Sequence, residues 1–103
     1  MKIFDFTAER ELALQLSQDL VRQLPPSNFS SEKKADLSVN RVSRALERIY
    51  AIAVGKNKEK KMGSIRRSIF ANGFKWKLKE AGYPADFIDM ATEGLIVELA
   101  KRK

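Results

Sequence analysis

The chain contains neither cysteine nor histidine. Without cysteine there is no disulfide framework, no thiol nucleophile and no thiolate metal site. Without histidine the commonest general base and the commonest metal ligand are missing. Histidine-dependent serine or cysteine triads, Cys/His zinc centres and two-histidine iron sites are therefore excluded. Glycine is sparse and scattered singly, five residues in all, so no glycine-rich phosphate loop is present. No apolar run approaches the ~18 consecutive residues of a membrane span. The segment Met1–Phe6 meets acids at Asp5, Glu9 and Glu11 before any long apolar stretch, unlike a secretory signal. These absences predict a cytoplasmic protein that is not an enzyme, with no cofactor, metal or small-molecule substrate and no membrane partner.

What is present is basic charge, concentrated in one place. Residues 56–79 hold nine lysines and arginines against the single acid Glu59. That stretch carries +8 in a chain of net charge +7, leaving the remainder at −1. Ile65, Ile69, Phe70, Phe74, Trp76 and Leu78 are interleaved with the cations. Basic charge mixed with aromatics is the footprint of a surface that meets polyanions. At 103 residues, 44% hydrophobic and 32% charged, the composition is that of an ordered globular domain. A single domain over 1–103 can bury roughly 65% of its unfolded surface, enough for one core.

The periodicities predict an all-α fold, a compact bundle of four to five helices. Phe6 is placed as a hydrophobic staple beside a Thr7 cap. The first helix then runs from about Ala8 to Leu24, with Leu12, Ala13, Leu16, Leu20 and Leu24 on its core side. Pro25-Pro26 stops it. A second helix is expected from near Ser31 to Gly55, burying Val39, Val42, Leu46, Ile49 and Ala53, with Ala35 and Tyr50 flanking. Gly55 is suited to the left-handed conformation that closes helices, and 57–61 then reads as a charged linker.

Residues 62–81 leave two arrangements open. On one straight helix, Met62, Ile65, Ile69 and Trp76 form one stripe and Phe70, Phe74, Leu78 and Ala81 another, more than 90° away. Asn72-Gly73 sits where the stripe changes, which favours two short helices or one helix kinked there. The rival is a β-hairpin with Asn72-Gly73 at its tip. It is disfavoured because Phe70 would join the lysines and a lone hairpin is marginal in water. Gly82 reads as a helix end and Pro84 as the first residue of the last helix. That helix buries Ile88, Ala91, Leu95 and Leu99. From Gly94 on it is apolar nearly all round, so it is expected to be central or to form a homodimer contact.

Three constellations bear on function. Asp86, Asp89 and Glu93 share a face of the last helix, and the helix dipole and solubility account for them better than a metal or an acid–base pair. A helix-turn-helix reading fails on charge, because those acids lie where the reading helix would approach phosphates. The cations remain. Lys58, Lys60, Lys61, Arg66, Arg67, Lys75 and Lys77 are candidate phosphate contacts. Arg41, Arg44 and Arg48, in line with Lys34, make a second strip whose planar guanidinium groups suit phosphate. Trp76, between Lys75 and Lys77, is a candidate for stacking on an unpaired base. The expected function is a small nucleic-acid-binding accessory protein of low sequence specificity, its partner DNA or RNA. The alternative is a helical protein-interaction or homodimeric adaptor module, including an inhibitor or immunity-type partner, in which the patch only solubilises.

Overall fold

A computed structural model describes residues 6–29, 38–60 and 63–101. Among them there is no strand: the chain forms helices α1 (Thr7–Gln23), α2 (Val39–Lys60), α3 (Ser64–Ala81) and α4 (Ala85–Lys101), with a 3₁₀ turn at Pro26–Phe29. No helix among the described residues is long and apolar enough to cross a membrane. Helix α1 packs along α3 and α2, and α4 packs along the same two. The four therefore stand in the order α1, α3, α4, α2, with α2 and α3 at opposite corners. Glu9 lies by Arg66 and Leu24 by Tyr83, so α1 and α3 run the same way. Arg67 reaches Leu99 and Lys75 reaches Asp89, so α4 runs back against α3.

Each helix is set by its apolar period. The α1 stripe Leu12, Ala13, Leu16, Leu20 is buried, as is Leu24 just beyond it. The helix starts one residue earlier than expected. Phe6 holds the N-cap position without a side-chain cap bond, and Thr7 is the first helical residue. Leu24 N–H donates back to the Leu20 carbonyl at 2.7 Å before Pro25-Pro26 forbids another turn.

Helix α2 differs more. Its described start is Val39, capped by Ser38, whose Oγ accepts the Arg41 N–H at 3.0 Å. Ser31, Lys34 and Ala35 lie outside the described residues. Ala45, Leu46, Ile49 and Ala53 are buried and Val42 packs against them, but Val39 is exposed at the helix start. Gly55 does not close the helix, which continues through the expected linker to Lys60. A glycine permits the left-handed turn without requiring it. Here Gly55 keeps a helical φ, Asn57 is buried, and Lys56 and Glu59 pair across one turn.

Helix α3 decides between the two arrangements left open by the sequence, for the helical one and against the hairpin. It runs from Ser64 to Ala81 without interruption, neither a hairpin nor two helices. Asn72-Gly73 lies inside it, with Gly73 packed against α1: a Cβ there would stand 3.3 Å from the Ala13 Cβ. The two apolar stripes separate instead by environment. Phe70, Phe74 and Leu78 of one stripe are buried with Ala71 beside them, and Ala81 at the helix end is exposed. Of the other stripe Ile65 (71%) and Trp76 (53%) are exposed, Ile69 is half-buried and Met62 lies outside the described residues. The helix ends as the sequence predicts, with Gly82 at φ +101°. Gly82 N–H donates to the Lys79 carbonyl and Tyr83 N–H to the Leu78 carbonyl, at 3.1 and 3.3 Å. That pair of bonds is a Schellman ending.

In α4 the expected stripe Ile88, Ala91, Leu95, Leu99 is buried together with Phe87. Pro84 stands just ahead of the first helical residue, and its carbonyl accepts the Ile88 N–H at 3.0 Å. Phe29, Tyr83 and Phe87 close this end of the bundle, with ring centroids 4.6–5.7 Å apart. Met90, Ile96 and Val97 stay about half exposed on the outer side of α4.

Both tyrosines are pinned to backbone. The Tyr50 hydroxyl donates to the Ala91 carbonyl at 2.8 Å and the Tyr83 hydroxyl to the Leu24 carbonyl at 2.6 Å. Burial, with a smaller contribution from the Glu98 charge, pushes the Tyr50 phenol up to about 12, and burial moves Tyr83 in the same direction. The folded state thus holds the neutral phenols. Their contribution is complete below the unfolded value of about 10 and is lost as pH rises through the folded one. Native protein is expected to show no tyrosine ionising near pH 10 by absorbance at the phenolate band. In urea both should ionise at about pH 10. A normal native titration for either residue would contradict its backbone bond.

Candidate nucleic-acid interface

The cations of 56–79 are mostly engaged within the molecule. Arg66 Nη1 lies 3.2 Å from Glu9 Oε2 and 3.4 Å from Oε1, and its guanidinium stands 5.8 Å from the Phe6 ring centroid. Glu9 is only 1% exposed. Arg66 is therefore the counter-charge of a buried acid. Arg67 Nη1 donates to the Leu99 carbonyl at 3.3 Å, a cation at the C-terminal end of α4 where the helix dipole favours it. Lys75 faces Asp89 at 3.9 Å and Lys77 meets Glu80 at 3.3 Å. Lys79 Nζ sits 5.0 Å from the centroid of the Trp76 ring, a cation–π contact. Lys58 is exposed near the end of α2, Lys60 is that helix's last residue, and Lys61 lies outside the described residues.

Arg41, Arg44 and Arg48 behave differently. All three are exposed on successive turns of α2, and among the described residues none lies within ion-pair distance of an acid. They line a shallow polar groove with Asn40 and with Gln23 from the end of α1. Their anchor points span about 10 Å along the axis, from seven residues at ~1.5 Å each. That is roughly three phosphate steps of one strand at ~3.4 Å rise. Gln23 was not visible as part of this strip in the sequence, because only the packing of α1 on α2 brings it there.

The cations of α3 do not share a face with the arginine strip, since α2 and α3 stand at opposite corners of the bundle, whereas Lys56 and Lys58 lie on α2 itself. No group of acids among the described residues is gathered so as to hold a metal ion. Asp86 bonds the Phe87 N–H at 2.9 Å and Asp89 is turned toward Lys75. No family model, curated protein or solved structure matches this chain.

Proposed function

We propose that this protein is a small nucleic-acid-binding accessory protein of low sequence specificity whose leading phosphate contacts are Arg41, Arg44 and Arg48. The observation that carries this reading is that these three guanidinium groups are exposed and aligned and, among the described residues, have no acid within ion-pair distance, whereas Arg66, Arg67, Lys75 and Lys77 have partners inside the molecule. Guanidinium–phosphate contacts position a protein on DNA or RNA without reading its sequence. Lys58 adds to the field from farther along the same helix, and a cytoplasmic location fits a partner of this kind.

The test is a salt titration of binding to generic duplex and single-stranded DNA and RNA. The triple variant Arg41→Gln, Arg44→Gln, Arg48→Gln is expected to unfold like the parent. Its duplex affinity at low salt should fall by about two orders of magnitude, and its log–log salt slope should flatten by between two and three, at about 0.9 per lost contact. Arg22→Gln removes one charge already paired with Asp19 and serves as the control. A triple variant that binds like the parent overturns the assignment of the contacts. Absence of binding by the parent at low salt overturns the function.

The half-exposed Met90, Ile96 and Val97 on α4 favour a second reading, an interaction module joined to a protein partner or to a second copy. Recording the oligomeric state through the titration separates the two. A stable dimer with no affinity for any nucleic acid would replace the first reading by the second.

A further inference from the structure

The chain's one tryptophan is among its least economically placed side chains. Trp76 leaves about half of its surface in water, on a helix whose other aromatics, Phe70 and Phe74, are fully buried. It forms a wall of a cleft of about 450 Å³ between the C-terminal half of α3 and the first turns of α4. That volume falls in the roughly 300–1,000 Å³ range of small-ligand sites. Ile88, itself buried, gives the cleft an apolar lining, and Tyr83 behind it is held by its bond to the Leu24 carbonyl. Lys75 and Lys79 stand at the rim on the same helix as Trp76, and Lys79 already lies against the indole ring. Asn72 and Asp89 complete the rim with an amide and a carboxylate. The Lys75–Asp89 contact is long, 3.9 Å, and both groups are more than half exposed, so the pair is loosely held.

An aromatic face, two cations, and a donor–acceptor pair around one apolar cleft match one ligand chemistry well. A nucleobase stacks on the indole and a phosphate meets the ammonium groups. The amide and the carboxylate are left to meet the polar edge of the base, as Asn and Asp side chains do elsewhere. We propose that this cleft takes a single unpaired nucleotide of a bound strand, the base on Trp76 and its phosphate on Lys75 and Lys79. The proposal rests on the nucleic-acid function above and adds a preference for single-stranded or splayed-out bases. Among the described residues no aromatic side chain lines the groove of the α2 arginine strip, which lies on another corner and so provides no such preference.

Because Trp76 is the sole tryptophan, its emission reports on this cleft alone. The probes are single-stranded DNA and RNA oligonucleotides, the corresponding duplexes, and adenosine monophosphate. Single strands are expected to quench Trp76 saturably, while duplexes at the same phosphate concentration bind without comparable quenching. Trp76→Ala, exposed and so expected to keep the helical far-UV spectrum, should weaken single-strand binding about tenfold or more and leave duplex binding unchanged. Lys75→Gln with Lys79→Gln should reduce the quenching amplitude or shift its midpoint to higher strand concentration. Duplex binding through the arginines, with single strands bound no better by the parent than by Trp76→Ala, overturns this proposal and leaves the nucleic-acid function standing. No binding of any strand at low salt overturns both. Quenching by adenosine monophosphate alone, with no strand bound, overturns the strand proposal in favour of a free-nucleotide site.

Discussion

Replacing Arg66 with alanine is expected to lower the unfolding free energy by about 3 kcal/mol, from the 3–5 kcal/mol typical of a buried charge that loses its partner. In a domain of this size that is a fall in Tm of roughly 15 °C. The reason is the environment of Glu9 rather than that of the arginine. Glu9 is 1% exposed, and the only side chain within hydrogen-bond distance of its carboxylate among the described residues is Arg66. The arginine is itself 44% exposed and returns to water at small cost. The cost is placed at the lower end of that range because Glu9 sits in the first turn of α1, where the helix dipole still favours a negative charge. The same asymmetry predicts that Glu9→Gln costs much less, about 1 kcal/mol, since it removes the charge and keeps the shape. Combining Glu9→Gln with Arg66→Ala should recover most of the loss, a coupling that chemical denaturation of the four proteins measures directly. A single-variant cost below 1 kcal/mol for Arg66→Ala would show that water reaches Glu9. Charge reversal at Arg66 and Arg67 for that reason tests the fold before it tests binding.

The contrast between Arg66 and Arg41 shows where legibility in the sequence stops. Stripes of one residue type at helical spacing were readable because their cause is local. Leu12, Leu16 and Leu20 on α1, and Ile88, Ala91, Leu95 and Leu99 on α4, are buried as their periods require. The Schellman ending at Gly82 was readable for the same reason: a left-handed residue between two helical periods has few other uses. Gly55 and Gly73 carry the same letter with other causes. One is an exposed helical position with open space around it. The other is a point of contact with Ala13, sixty residues away in sequence and 3.3 Å from the added Cβ. Which arginine meets a buried acid depends likewise on two helix starts being side by side, and nothing local to 66–67 signals it. The cation-rich segment was found, but its share between binding and internal pairing was set by the packing. Among the described residues, all three arginines of the α2 strip lie outside ion pairs, whereas most cations of 56–79 are held by a partner within the molecule.

Gly94→Ala is expected to destabilise the protein by about 2–3 kcal/mol, although alanine is the better helix former by about 1 kcal/mol. The phenol of Tyr50 lies across α4 at this position. A Cβ on residue 94 would stand 2.9 Å from the Tyr50 Cζ and 3.2 Å from Cε2, with Oη closer still. The ring cannot simply swing aside, because its hydroxyl is fixed to the Ala91 carbonyl one turn earlier. Accepting the methyl group therefore means breaking that bond and opening the contact between α2 and α4, and the two losses exceed the propensity gain. Gly55→Ala provides the matching control, since nothing lies within 4 Å of a Cβ there. It is expected to stabilise by about 0.5–1 kcal/mol, so one substitution at two helical glycines should change sign with its surroundings. The cause at Gly94 is isolated by truncating the ring. Tyr50→Ala is destabilising alone, but in that background Gly94→Ala should become neutral or stabilising by a few tenths of a kcal/mol. If Gly94→Ala stayed equally costly without the ring, the clash with Tyr50 would not be its origin, and the approach of α2 to α4 would have to be set by another contact.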